Sequence, residues 1–303
     1  MLDILFLGTG ASIPSRERGM PCVAVRCESE IILFDCGEGT QRQLMISPFS
    51  FMKIKGIFIS HMHGDHFLGL PGLIQTMGLM GRKEKLLVCG PEGMEDTLNT
   101  ILTACEGIIG YEIEVISSDK MEEVEFVGFT VSSFKTDHRV SSFGYKLKEK
   151  ESKGRINKEK AIMLGLSPGP DFSRLQNGET VGNVSPEMVI GPRVPGCSIV
   201  YSGDTAPCQG LSDAAEGVDI LIHESTFLEE KSKLAEDRKH STTSQAAETA
   251  SKCKCRALFL IHVSNRYDDK DVIEKEAKAI FDDTIVPSDL DIYRVSKSSI
   301  CPL

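Results

Sequence analysis

The stretch Ser60-His61-Met62-His63-Gly64-Asp65-His66 sets three imidazoles and a carboxylate within six residues. It follows Gly56-Ile57-Phe58-Ile59 directly, an apolar run that reads as a buried strand ending in a turn. From such a turn His61 and His63 can aim at one ion while Asp65 and His66 turn toward a second. Zinc coordination calls for these residue types at this spacing, and core packing does not.

The other histidines and one aspartate fall where a loop after a strand would present them. His138 follows Phe129-Thr130-Val131-Ser132-Ser133-Phe134, and His262 follows Ala257-Leu258-Phe259-Leu260-Ile261. Asp204 comes after Cys197-Ser198-Ile199-Val200-Tyr201-Ser202-Gly203 in the same manner. These residues supply enough ligands for two zinc ions sharing a bridging carboxylate. One ion would take His61, His63 and His138, the other Asp65, His66 and His262, with Asp204 between them.

The segments occur in an order that resembles the metallo-β-lactamase fold superfamily over the whole chain. Phe6-Leu7-Gly8-Thr9-Gly10-Ala11 and Ile31-Ile32-Leu33-Phe34-Asp35-Cys36-Gly37-Glu38-Gly39-Thr40 precede the histidine cluster; Gly203-Asp204-Thr205 and His262 follow it. His223-Glu224-Ser225-Thr226, His240-Ser241-Thr242, Ser264-Asn265-Arg266-Tyr267 and Leu166-Ser167-Pro168-Gly169-Pro170 resemble the ribonuclease Z branch in particular. That branch usually carries His-Glu-Ala-Thr in the first tetrad, so Ser225 departs by one small residue. The resemblance implies an α/β fold, a four-layer αβ/βα sandwich forming a single domain over 1–303. It also implies a protruding flexible arm over 149–191 that binds tRNA, with Gly169 and Pro170 among the substrate contacts. The implied activity is zinc-dependent cleavage of the 3′ trailer from precursor tRNA after the discriminator base, leaving a tRNA 3′-hydroxyl and a trailer 5′-phosphate. The implied assembly is a homodimer in which one subunit's arm clamps tRNA for its partner. The competing reading is a metal-dependent phosphodiesterase or small-ester hydrolase of the same fold.

Asp65, a carboxylate beside an activated water, is the candidate general base. His240, oriented by Glu224, can protonate the departing oxygen, or else support His262 from behind. His223 ends an apolar strand and reads as structural. Arg266, four residues beyond His262, can set a guanidinium on a phosphate; Arg16, Arg18 and Arg42 are further phosphate candidates. Gly8-x-Gly10 lacks the third glycine of a dinucleotide loop.

A net charge of −10 argues against a general nucleic-acid binder. Residues 146–160, however, hold seven basic and three acidic side chains, so RNA contact would be localised. Ten cysteines scattered through a long chain read as reduced core residues. The first residues lack a signal-peptide pattern, and no apolar run reaches the ~18 residues of a membrane span. A cytoplasmic location is expected. Alternating strand-like and helix-like runs over 2–143 and again over 196–295 suggest two similar halves, with helices over 93–105, 243–253 and 269–281. Residues 149–191, rich in charge, Gly and Pro, lack core-like strands.

Overall fold

Alternation along Leu2–Gly8 sends Leu2, Ile4 and Phe6 to one face and Leu5 and Leu7 to the other, and both faces are buried. A strand covered on both sides needs a layer on each. In the computed structural model, which describes residues 1–107 and 109–303, those layers are a second sheet and a set of helices.

Among the described residues the first sheet has eight strands in the order Ile300–Pro302, Ile292–Val295, Leu2–Gly8, Cys22–Cys27, Glu30–Phe34, Ile54–Phe58, Leu86–Gly90, Ile113–Ser117. The second has seven: Thr284–Ile285, Ala257–Ile261, Ile220–Glu224, Ser198–Tyr201, Phe143–Glu149, Phe129–Lys135, Val124–Phe126. Phe6, Phe34 and Phe58 from one sheet meet Tyr145, Tyr201 and Phe259 from the other in the central core. Helices Thr40–Ile46, Gly69–Leu79 and Met94–Ala104 cover the outer face of the first sheet, and Gln209–Ala215, Thr243–Lys252 and Lys270–Lys278 that of the second. This is the four-layer αβ/βα sandwich.

The two-halves expectation is only partly met. Strands Val124–Phe126, Phe129–Lys135 and Phe143–Glu149 cross into the second sheet, while Ile292–Val295 and Ile300–Pro302 return to the first. The helices start and end within three residues of the expected bounds. Seven of the ten cysteines are buried. Among the described residues no helix is long and apolar enough to cross a membrane.

Residues Glu149–Gly196 form a compact unit of their own, described separately from the sandwich. Three helices, Lys158–Met163, Pro170–Gln176 and Pro186–Val189, surround a small core of Ala161, Phe172, Leu175, Val181, Val184 and Val189. Single bridges Ser152↔Val194 and Ile156↔Ile190 tie its two ends together. The arm expected over 149–191 falls within this unit, which runs five residues further and has an apolar core of its own.

Candidate metal centre

The turn after Ile54–Phe58 is shaped by backbone contacts rather than by its own sequence. Cys36 N–H donates to the His66 carbonyl at 2.9 Å, and Gly69 N–H donates to the Cys36 carbonyl at 3.0 Å. Gly37 permits this approach, since a Cβ there would lie 2.2 Å from the Asp65 carbonyl oxygen. Asp204 follows Gly203, whose φ of 59° glycine adopts freely; Asp35 and His262 hold φ of 59° and 54° without that freedom. Such backbone costs about 1–3 kcal/mol per residue and persists only where the surroundings enforce it.

His61, His63, His138 and Asp204 offer ligand atoms that all lie within 4.8 Å of one another, and so do Asp65, His66 and His262. In the first group His61 Nε2 is 2.9 Å from His63 Nδ1, which is 3.4 Å from His138 Nε2. In the second, His262 Nε2 is 3.3 Å from His66 Nε2 and 3.5 Å from Asp65 Oδ2. Asp204 stands between them, its Oδ2 3.7 Å from His61 Nε2 and 3.4 Å from His66 Nε2. Its Oδ1 is buried without a hydrogen-bond donor, 3.4 Å from His262 Nε2.

His240 approaches from the other side. Lys239, with φ of 55°, closes helix Ser232–Arg238, and His240 N–H donates back to the Ala235 carbonyl at 2.9 Å. Two residues on, Thr242 and Gln245 form a reciprocal capping box that starts Thr243–Lys252. Between these two devices the ring has little freedom. Its Nδ1 lies 2.8 Å from Glu224 Oε1 and 3.9 Å from Asp204 Oδ2.

Burial keeps the His61, His63 and His138 rings below the usual imidazole range, hence neutral and able to act as donors. Burial opposes ionisation of Asp204 too, but the His262 and His66 rings outweigh it and hold its carboxyl well below the ordinary range. Burial also disfavours a charged His240, yet Glu224, with Asp204 behind it, carries that pKa up to about 9. His66 is likewise raised against its burial by Asp204 and Asp35. The buried carboxylates thus draw protons onto nearby rings, and a divalent cation is the other way to meet the same negative charge. The unpartnered Asp204 Oδ1, ring nitrogens facing one another below 3.5 Å, and a mixed imidazole and carboxylate donor set all fit a pair of such cations.

His223 is buried, its Nδ1 donating to the Glu224 carbonyl at 2.7 Å. Arg266 is exposed and donates to Ser264 Oγ at 2.9 Å, its guanidinium 5.7 Å above the Phe227 ring, which in turn lies 6.0 Å from the His240 ring. Arg16, Arg18 and Arg42 line a groove of about 460 Å³ with Gly39 and Asp289; Arg18 is already committed to Thr9 and the Pro287 carbonyl. Gly169 and Pro170 begin helix Pro170–Gln176 in the separate unit.

Sequence reasoning gave no role to several residues that shape this centre. Asp35 accepts from Tyr201 at 2.5 Å and His66 Nδ1 at 2.7 Å. The Lys239 carbonyl takes His138 Nδ1 at 2.9 Å. Asp289 accepts from Thr9 and Gly19 N–H at 2.9 and 2.7 Å, anchoring the loop whose Ser12 N–H donates to Asp65 Oδ2 at 2.9 Å. Only Asp35 carried a local signal, since it ends a strand as Asp204 does.

Residues 2–153 match a family model described as anti-Pycsar protein Apyc1, and residues 172–263 match the beta-lactamase superfamily domain. Relatives aligned over nearly the full length are more specific. The ribonuclease Z of Methanosarcina acetivorans is 44% identical over 295 residues, 96% of this chain and 97% of that protein. The ribonuclease Z of Bacillus licheniformis is 38% identical over 307 residues, covering 98% and 100%. The crystal structure of the human short-form tRNase Z superposes with a TM-score of 0.71 at 28% identity, over 97% of this chain and 99% of that one. Each family model takes only part of the chain, whereas these relatives align over nearly all of it at 38–44% identity, so the chain is a member of the ribonuclease Z family.

Proposed function

We propose that this protein is a metal-dependent endoribonuclease that removes the 3′ trailer of precursor tRNA after the discriminator base, leaving a tRNA 3′-hydroxyl and a trailer 5′-phosphate. The observation that carries the reading is the pair of ligand groups joined at Asp204 with the Glu224–His240 pair on their flank. Two zinc ions per subunit would be the cofactor: His61, His63 and His138 would hold one and Asp65, His66 and His262 the other, with Asp204 within reach of both. When bound, they supply Lewis acidity toward a phosphodiester oxygen and lower the pKa of water.

The protein's own groups manage the protons. Asp65, kept in place by the Ser12 N–H, accepts the proton of the attacking water as its oxygen bonds to phosphorus. The P–O3′ bond breaks, and His240 gives its proton to the departing O3′. Glu224 keeps the His240 ring aimed and charged. Arg266, beyond Phe227, takes a neighbouring phosphate.

The 149–196 unit, including Gly169 and Pro170, clamps tRNA, and a homodimer lets one subunit's unit serve its partner's site. Exposed Met45, Ile46, Leu68, Leu79 and Met80, on or beside the mutually packed helices Thr40–Ile46 and Gly69–Leu79, support such an apolar interface. The enzyme works in the cytoplasm, where precursor tRNA is met in the absence of any membrane.

Incubation with a 3′-extended precursor tRNA should give a product ending in a 3′-hydroxyl at the discriminator base. Elemental analysis should find about two zinc ions per chain, and chelation should stop cleavage. A product cut elsewhere, or full activity with one ion or none, would sink the reading.

His240→Ala separates the proton donor from a mere support. The expected loss in kcat is roughly 10²–10⁴-fold on RNA, and much smaller on bis(p-nitrophenyl) phosphate, whose leaving group needs no proton. Equal losses on both, with weaker metal retention, would make His240 a support for His262.

A further inference from the structure

A serine or threonine hydroxyl has one proton to give, and at two places beside the metal centre the destination of that proton is forced. Thr226 Oγ1 lies 2.5 Å from Glu224 Oε2 and 2.8 Å from His262 Nδ1. Ionised Glu224 can only accept. It already takes Thr205 N–H at 3.0 Å, Thr226 N–H at 3.1 Å and His240 Nδ1 at 2.8 Å. The Thr226 proton therefore goes to Glu224, and the contact with His262 must be donated by the ring. The longer approach of Thr226 Oγ1 to His240 Nδ1, 3.2 Å, leaves this order unchanged because that ring nitrogen donates to Glu224. His262 thus carries a hydrogen on Nδ1, which leaves Nε2, the atom facing Asp65 and Asp204, as the one that can bind a metal.

The opposite side repeats the arrangement. Ser60 Oγ donates to Asp35 Oδ2 at 2.9 Å and lies 3.0 Å from His61 Nδ1. Asp35 accepts as well from Ser60 N–H and from Tyr201, so the serine proton has the same forced destination. His61 is left with hydrogen on Nδ1 and a bare Nε2 facing His63 and Asp204.

We propose that Ser60 and Thr226 are positioning residues: each hydroxyl relays a buried carboxylate, Asp35 or Glu224, to one histidine ring and locks that ring in its metal-binding tautomer. The proposal rests on the metal reading above. Each carboxylate thereby controls two rings, Asp35 holding His66 directly and His61 through Ser60, Glu224 holding His240 directly and His262 through Thr226. Sequence motifs record the histidines, but the relays join residues as far as 36 positions apart.

The test starts from the zinc-loaded full-length protein, titrated with a competing chelator while released zinc is read. Thr226→Val should give up one ion at a chelator concentration roughly 10- to 100-fold below that needed for the wild type, the usual effect of losing a group that orients a ligand. Its other ion should stay. Ser60→Ala should loosen the His61-side ion instead, and Thr226→Ser, which restores the hydroxyl, should behave as wild type. Long-range ¹H–¹⁵N spectra of the wild-type histidine rings give a readout independent of any variant's folding: His61 and His262 should carry hydrogen on Nδ1. Hydrogen on Nε2 of either ring, or variants that hold both ions as the wild type does, would overturn the relay. If the wild type takes up no zinc, the metal reading fails, and the ring spectra still decide the tautomers.

Discussion

Asp65→Ala is expected to lower kcat for precursor-tRNA cleavage by about four orders of magnitude or more, the scale on which loss of a central catalytic group registers. Its carboxylate lies 3.5 Å from His262 Nε2 and 3.6 Å from His66 Nε2, so the change removes the proposed cation ligand and the proposed proton acceptor together. The fold should survive. Asp65 sits in the first turn of the short helix Gly64–Phe67, outside the apolar clusters, and the backbone bonds Cys36 N–H to His66 and Gly69 N–H to Cys36 do not involve its side chain. Circular dichroism should therefore stay close to that of the wild type. Asp65→Asn can keep an acceptor for the Ser12 N–H while losing the charge, and it should be nearly as inactive. Retention of more than a small fraction of activity by either variant would remove Asp65 from both of its proposed roles.

Excision of the 149–196 unit should act on the other kinetic parameter. Lys148 pairs with Ser198 in the antiparallel ladder between Phe143–Glu149 and Ser198–Tyr201, so the cut ends already lie at hairpin distance. An Asn-Gly turn can join them. None of the seven candidate ligands lies in the unit, so metal content and hydrolysis of bis(p-nitrophenyl) phosphate should remain near normal. The unit does hold five of the seven basic residues of 146–160, and ionic contacts with a folded RNA would go with it. KM for precursor tRNA should rise by roughly two orders of magnitude with kcat less affected, and the salt dependence of binding should flatten. Unchanged processing of precursor tRNA would mean the unit is no clamp, and a small phosphodiester would become the better substrate reading.

The histidine cluster, the strands feeding it and the helices behind them could be read locally because each obeys a period of two or 3.6 residues or a ligand spacing. Glu224 and His240 were legible only as a pair of tetrads; their 2.8 Å contact is a product of the fold. Nothing local marks Thr226 or Ser60 as relays, or Asp289 as the anchor of a loop some 270 residues earlier. Sheet order is hidden for the same reason. Pairing of Leu2–Gly8 with Ile292–Val295 is a long-range choice that no window along the chain contains. The core of the 149–196 unit carries no local mark because its apolar residues come from helices of four to seven residues and the segment between them, too short to show a period.

That first strand has a consequence for how the molecule is made. Leu2–Gly8 is flanked by Cys22–Cys27, translated at once, and by Ile292–Val295, which leaves the ribosome on the order of tens of seconds later at ordinary synthesis rates. Throughout that interval the nascent sheet keeps an open edge that can recruit other chains. Asp289, which fastens Thr9 and Gly19, arrives equally late. A ribosome stalled before residue 289 would hold a chain with every candidate ligand translated but the loop of Ser12 unfastened beside Asp65. Newly made protein should then become active only after release, and amino-terminal fragments should aggregate rather than display a slow, partial nuclease.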